Sequence, residues 1–297
     1  MTRLDWPGER AQPATQAFFQ QRDSNICLDL HGDPRLARLA VFSDGNHHMA
    51  LEQALQAFLS DHPQVVDIFY ATTPPRVVVE ALATGGIVLG NLTISVKPQV
   101  FISPPKVLDA LVAGGAMNAH FPLAGSRGNV LLLPKANPKG IKGIADLARD
   151  DISLFLSNPK TETVSYTTYI NTLRAIAARL DLALDFLDGR PHPRVLYGES
   201  IHHREAPQAV AAGDADAAVV FHHLALRYTR IFPEIFTMLP LTAEGEHDTG
   251  QERSRVHVGL VGDGGEWGPR LVDFLRGPRV ADIYRHHGLV PAASQVT

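Results

Sequence analysis

Short apolar runs, each followed by a polar knot and then an apolar helical face, recur along the first 115 residues. Residues 36–43, LARLAVFS, predict a strand, and Ser43-Asp44-Gly45-Asn46 follows as a turn and helix-cap cluster. Leu51, Leu55, Phe58 and Leu59 then share one helical face, which places His47 and His48 at a strand–loop–helix junction. Residues 65–71 predict a second strand, Thr72-Thr73-Pro74-Pro75 a loop, and 76–83 a helix ended by Gly85-Gly86. Residues 87–102 hold apolar stretches that close on Gln99-Val100-Phe101-Ile102. Ser103-Pro104-Pro105 leads into a helix over 106–113, stopped by Gly114-Gly115. Three strand–loop–helix units in a row imply an α/β fold with a mostly parallel sheet.

The pattern then changes. Gly125-Ser126-Arg127-Gly128 punctuates the chain before a buried strand at 129–133, and a first crossing between domains is placed there. A Pro/Gly/Lys loop runs to Gly143, a short amphipathic helix covers 144–149, and 151–156 reads as a strand. The polar stretch 157–166 feeds a long helix whose face carries Ile170, Leu173, Ile176, Ala177 and Leu180. Residues 195–229 come next: a His202-His203-Arg204-Glu205 cluster before a helix expected at 207–212, a Gly213-Asp214 turn, the strand 217–221, and His222-His223 opening another helix. A polar loop covers 242–254. Val256 to Val261 reads as a strand returning to the first domain, with helices at 268–276 and 279–287. The expected organisation is an N-terminal extension (1–35), lobe I (36–125 plus 255–297) and lobe II (126–254).

Composition narrows the function. The chain has 297 residues, is 45% hydrophobic and 20% charged, and carries 31 acidic against 27 basic side chains for a net charge of −4. With no basic excess or basic block, nucleic acid is not an expected partner. No apolar run reaches the length of about 20 residues that spans a bilayer, so membrane insertion is not expected either. The first 24 residues show no apolar core of an export signal. A cytoplasmic location is therefore expected as the sequence is written, and a periplasmic one where an export signal has been lost. Cys27 is the single cysteine, which excludes an internal disulfide.

Fourteen histidines include four adjacent pairs, 47/48, 202/203, 222/223 and 286/287. Adjacent helical residues point about 100° apart and rarely share one ligand. The zinc spacings H-x-H, H-x-x-x-H and H-E-x-x-H do not occur, so a divalent metal would need histidines gathered from separate loops, with His47, His222 and His223 as candidates. His31, His62, His120, His192, His247 and His257 lie in no motif and read as structural or solvated.

Several segments resemble the type II periplasmic binding-protein fold and, within it, the molybdate/tungstate-binding family. They are Val130–Ile141 with its LLLPKANPKGI run, Asp146-Leu147-Ala148, Leu156-Ser157-Asn158-Pro159, QVFISP at 99–104, and 274–278 through 287–291. The similarity covers roughly residues 36–293. It implies a two-lobe α/β architecture with a ligand cleft between the lobes, and a small oxyanion such as molybdate or tungstate held by hydroxyls and helix N-terminal N–H groups. The matching positions are Ser43 and Thr72 or Thr73, with loops at 157–166, 202–205 and 221–223 in lobe II. Asp44, Asn46, His47 and His48 stand where the family has small hydroxyl residues, and Phe221 stands where it has a tyrosine.

The candidate ligand-binding set is therefore Ser43, Asp44, Asn46, His47, His48, Thr72, Thr73, Ser103, His202, His203, Arg204, His222 and His223. Arg204 offers a planar fork for a carboxylate or phosphate-like group, while Glu205 reads as its ion-pair partner or as a helix cap. The leading expectation is a solute-binding protein that closes on a small oxyanion or small carboxylate, working with a transporter or a metalloenzyme partner. The alternatives are a cytoplasmic enzyme or metallocofactor-assembly protein using the His/Arg/Glu cluster as an acid–base set, and a histidine-based metal-binding protein.

Overall fold

The apolar runs form strands covered by helices, and the chain crosses twice between two separately packed units. A computed structural model describes residues 29–35, 37–89, 92–188, 192–199, 201–241 and 253–292. Most of the N-terminal extension, Cys27 and His247 lie outside the described residues. The division falls between Gly125 and Ser126 and between Ser254 and Arg255. At the crossing, Ser126 N–H donates to Ser254 O at 2.9 Å and Ser254 N–H donates to Ser126 Oγ at 3.0 Å.

Lobe I begins with β1 (Leu30–His31), β2 (Leu39–Ser43), a 3-10 turn Gly45–His47, α1 (His48–Asp61), β3 (Ile68–Thr72) and α2 (Pro75–Thr84). The hairpin β4 (Ile87–Leu89) and β5 (Leu92–Ile94) leads to β6 (Val100–Ser103), α3 (Pro105–Ala113) and β7 (Met117–Ser126). Lobe II runs β8 (Asn129–Pro134), a 3-10 turn Ile144–Ala148, β9 (Leu154–Leu156), α4 (Thr163–Arg179), β10 (Val195–Tyr197), α5 (His202–Ala212), β11 (Ala217–Phe221), α6 (His222–Ile231) and β12 (Phe236–Pro240). The chain returns to lobe I for β13 (Arg255–Val261), α7 (Gly268–Leu275), α8 (Pro278–His286) and β14 (Leu289–Pro291).

The lobe I sheet has the order β1-β3-β2-β6-β13-β7-β14. Strands β3, β2 and β6 run parallel, β1 pairs antiparallel with β3, and β13 pairs antiparallel with both β6 and β7. Alternate side chains fill opposite faces, as the pleat requires. Leu39, Val41, Ile68, Val100 and Ile102 pack with α1, α7 and α8, whereas Ala40, Phe42, Phe69, Ala71 and Phe101 pack with α2 and α3. The lobe II sheet, β10-β9-β11-β8-β12, has parallel pairs at β10–β9–β11 and antiparallel ones at β11–β8–β12. One core built on Leu131, Leu133, Leu154, Leu173, Val219 and Tyr228 serves the whole lobe.

Three elements depart from the sequence reading. The sheets are mixed rather than mostly parallel, because β13 returns antiparallel between β6 and β7. Strand β7 was not foreseen, since MNAHFPLAGS lacks clean alternation and contains Pro122. That proline, with no N–H to give, falls beside the register shift between Val256 and His257. Helix α5 starts at His202, not at Pro207. An interior proline removes the N–H that would bond the carbonyl four residues back, here His203. The Tyr228 hydroxyl of α6 donates to His203 O in its place.

Candidate functional site

In lobe I the hydroxyls gather where three parallel strands end. Ser43, Thr72 and Ser103 are the last residues of β2, β3 and β6, and Ser43 lies opposite Thr72 and beside Ile102 in the ladders. Each strand end is followed by a helical start. For α2 and α3 the sequence enforces this: Pro74-Pro75 and Pro104-Pro105 hold the entering backbone extended and put a proline in the first helical turn. Ser43, Asp44, His47, Thr72, Thr73 and Ser103 are all buried, and Asn46 and His48 are half-buried.

Most of these groups have internal partners. Ser43 Oγ donates to Asp44 O at 3.0 Å and lies 3.1 Å from His47 Nε2, so Nε2 is the protonated nitrogen. Nδ1 of His47 then accepts from the Tyr284 hydroxyl at 2.9 Å. Both nitrogens of His47 thus have partners inside the lobe, and the ring supports Ser43. His48 Nδ1 bonds Gly45 O at 2.8 Å. The Asp44 carboxylate caps the 3-10 turn by accepting Asn46 N–H at 3.1 Å. Burial raises its pKa from 3.8 to about 6, and the Asn46 N–H only partly opposes this. Burial also raises the Tyr284 hydroxyl, with the charge of Asp44 adding to it. Thr72 Oγ1 is 3.1 Å from His31 Nε2, and Thr73 Oγ1 reaches Pro74 O at 3.5 Å. Ser103 Oγ is buried with no hydrogen-bond partner among the described residues.

Lobe II repeats the arrangement at β9, where Ser157 follows the strand. It is fully buried, and its Oγ also lacks a partner among the described residues. The N-terminus of α5 does not stand open to an outside anion. Glu162 accepts His202 N–H at 3.0 Å, so an internal carboxylate already sits at that positive helix end. Its pKa is raised from 4.5 to about 7, by burial first and further by the charge of Glu205, against the lowering effect of its N–H donors. Glu205 Oε2 accepts Glu199 N–H at 2.8 Å, and a Cβ on Gly198 would collide with that oxygen.

The lobe II histidines differ in environment. His202 points into the core, with Nε2 2.9 Å from Val219 O and its ring against Phe155 and Tyr169. Burial lowers its pKa to about 4, which keeps it neutral. His203 is half-buried, and burial together with the charges of Arg204, His202 and Arg227 holds its pKa well down. Arg204 is half-buried too. His223 is buried and stacks on Phe221 with ring centroids 5.5 Å apart, whereas His222 is half-buried and its N–H donates to Gly128 O. Among the described residues no group of three or more His, Cys, Asp or Glu is arranged to hold a metal ion.

Sequence reasoning passed over Glu162, Tyr228 and Tyr284. None had a local signal, because each acts on a residue distant in the chain. Ser157 did carry one, a hydroxyl straight after a strand, as at Ser43 and Ser103.

A family model for bacterial extracellular solute-binding proteins matches residues 39–290. The chain belongs to that family. No curated protein matches this solute-binding protein in sequence. Its two-lobe α/β architecture, of the type II periplasmic binding-protein kind, is shared by many solved structures. One is the substrate-binding domain of a putative molybdenum ABC transporter from Clostridium difficile, with TM-score 0.60 and 13% identity over 86% of this chain and 98% of that one. Another is the periplasmic molybdate-binding protein of Azotobacter vinelandii, with TM-score 0.59 and 18% identity over 85% and 99%. The sulfate-binding protein SubI of Mycobacterium tuberculosis gives TM-score 0.59 and 14% identity over 86% and 87%. At these identities the likeness establishes the fold. Among the described residues no helix is long and apolar enough to cross a membrane.

Proposed function

We propose that this solute-binding protein takes a small oxyanion or small carboxylate, and that the hydroxyls at the strand ends are its donors. The observation that carries this reading is that each lobe, taken by itself, holds a buried serine hydroxyl without a hydrogen-bond partner among the described residues, Ser103 Oγ in lobe I and Ser157 Oγ in lobe II. A buried hydroxyl left unmatched costs about 1–3 kcal/mol, a cost that a bound acceptor removes. Oxyanions supply acceptors only, and the molybdate and sulfate receptors of the same fold fit that class. The family's description places such receptors outside the cell, and an exported component delivering its solute to a transporter is the corresponding role here.

Asp44 and Glu162 add a condition. Both are carboxyls whose pKa values, about 6 and about 7, lie in the physiological range. Ionised, they repel an anion; protonated, they become further donors. Anion affinity is therefore expected to rise as pH falls from 8 to 6. The same carboxyls favour a second reading, a solute bearing an ammonium or similar donor, which would bind more tightly as pH rises.

Thermal melting of the full chain tests both. Molybdate, tungstate, sulfate, phosphate and small carboxylates are added singly in anion-poor buffer at pH 6 and pH 8. A ligand at 100 times its Kd adds about 2.7 kcal/mol. One anion is expected to raise Tm by several degrees, more at pH 6, with Ser103→Ala and Ser157→Ala cutting the response while raising the unliganded Tm, since each removes an unmatched buried hydroxyl. If no anion acts, or both variants respond like the parent, the oxyanion reading fails. A shift by an amine solute at pH 8 would install the second reading.

A further inference from the structure

Away from the strand ends, lobe I brings together three residues that the sequence pattern left unassigned. In the β7–β13 ladder His120 lies opposite Gly259, and the register shifts on both sides of His257–Gly259. Such irregularities re-aim side chains. Gly259 itself leaves the space: a Cβ there would run into the Ala119 carbonyl and the Met117 side chain. As a result His120 Nδ1 lies 2.9 Å from His257 Nδ1. On its other side, His120 Nε2 lies 3.0 Å from Oδ1 of the exposed Asp109, on α3.

The carboxylate can only accept, so His120 Nε2 carries a proton. A neutral His120 therefore turns its Nδ1 lone pair toward His257. Metal-ligating imidazoles are held in this way, with the far N–H given to a carboxylate. Two nitrogens bound at about 2.05 Å to one metal lie about 2.9 Å apart when the angle between them is about 90°, and about 3.3 Å apart at the tetrahedral angle. The observed 2.9 Å is that of an N–H···N hydrogen bond in which His257 Nδ1 donates to His120 Nδ1, so a metal would bind both nitrogens by replacing that one proton; the affinity order of imidazole sites favours Ni(II) and, above all, Cu(II).

We propose that His120 and His257 form a two-histidine chelate for Cu(II) or Ni(II), with Asp109 positioning the His120 ring and water completing the coordination. The site is independent of the solute-binding reading above.

The test is titration of the full chain with copper(II) chloride or nickel(II) chloride in a non-chelating buffer, followed by calorimetry and, for copper, by electron paramagnetic resonance. One equivalent is expected to bind, with nitrogen coupling in the copper spectrum. His120→Gln and His257→Gln are expected to remove it, and Asp109→Asn to weaken it about 10-fold or more. A His286→Gln/His287→Gln variant, altering a histidine pair elsewhere on lobe I, is expected to bind as the parent does. Asp109→Asn changes an exposed side chain, so its result stands even where a histidine variant folds poorly. The proposal is overturned by the absence of an equivalent, by one that survives His257→Gln or Asp109→Asn at full strength, or by one that disappears with His286 and His287.

Discussion

Replacing Glu162 with glutamine should change how stability depends on pH, and the structure sets the size of the change. The glutamine Oε1 can still accept the His202 N–H now bonded to the carboxylate, so the exchange removes titration and keeps the hydrogen bond. The folded-state pKa is about 7 against an ordinary 4.5. Below pH 4.5 the carboxyl is protonated in both folded and unfolded chains, and its contribution is fully present. As pH rises toward 7 the unfolded chain has ionised while the folded one still holds its proton, so stability is progressively lost. Above 7 the penalty is constant. Each pH unit in that window is worth about 1.4 kcal/mol, giving a ceiling of about 3 kcal/mol, of which about 2 should remain after solvent screening of a side chain that is not fully enclosed. Urea unfolding of both proteins at pH 5, 6, 7 and 8 reads it out. Two other buried groups titrate nearby. Asp44, with a pKa of about 6, slopes the same way as Glu162. His202, lowered to about 4, slopes the opposite way, losing stability as pH falls below its unfolded value of 6.5. Both are common to the two proteins and drop out of the difference between them. The variant should gain about 2 kcal/mol on the wild type between pH 5 and pH 8. A difference that stays flat with pH would show that Glu162 is not held in a desolvated, uncompensated position, and the reasoning would be refuted.

Tyr228→Phe should cost about 1–2 kcal/mol, because the His203 carbonyl that Pro207 leaves without its helical donor loses the hydroxyl that replaces it. In a Pro207→Ala background, where a backbone N–H returns, most of that cost should vanish, and an equal cost in both backgrounds of the double-mutant cycle would contradict the explanation. Val66 is 72% exposed and sits at φ 65, a conformation unfavourable for a β-branched residue, inside a tight turn closed by Asp67 N–H to Val65 O at 2.7 Å. Val66→Gly should therefore stabilise lobe I by about 1 kcal/mol, as the relieved strain exceeds the added unfolded-chain entropy; a lower denaturation midpoint would show that the strain is absent.

The sequence by itself determined the elements that depend on neighbours in the chain. The strand runs ending at Ser43, Thr72 and Ser103 are legible because each is an apolar stretch closed by a hydroxyl and, in two cases, by Pro-Pro, whose fixed φ suits a first helical turn. The second crossing into lobe I is legible for a similar reason, since the alternating run of β13 follows a polar loop. The ordered segments quoted from 99 to 291 likewise carried the two-lobe resemblance without any contact being known. Other features were decided only by tertiary packing. Strand β7 exists because β13 and β14 flank it, despite Pro122 and a poor pattern. Helix α5 runs through Pro207 because a tyrosine on the next helix supplies the missing donor. His47 is fixed in the lobe core because Tyr284, 237 residues away, meets its second nitrogen. The α5 N-terminus, which the sequence marks as a place for an anion, already holds Glu162. His120 and His257, 137 residues apart and without a motif, become a pair only through the β7–β13 ladder. Local chain chemistry writes secondary structure and its caps into the sequence, whereas the protonation and partners of buried polar groups depend on what the fold brings within 3 Å.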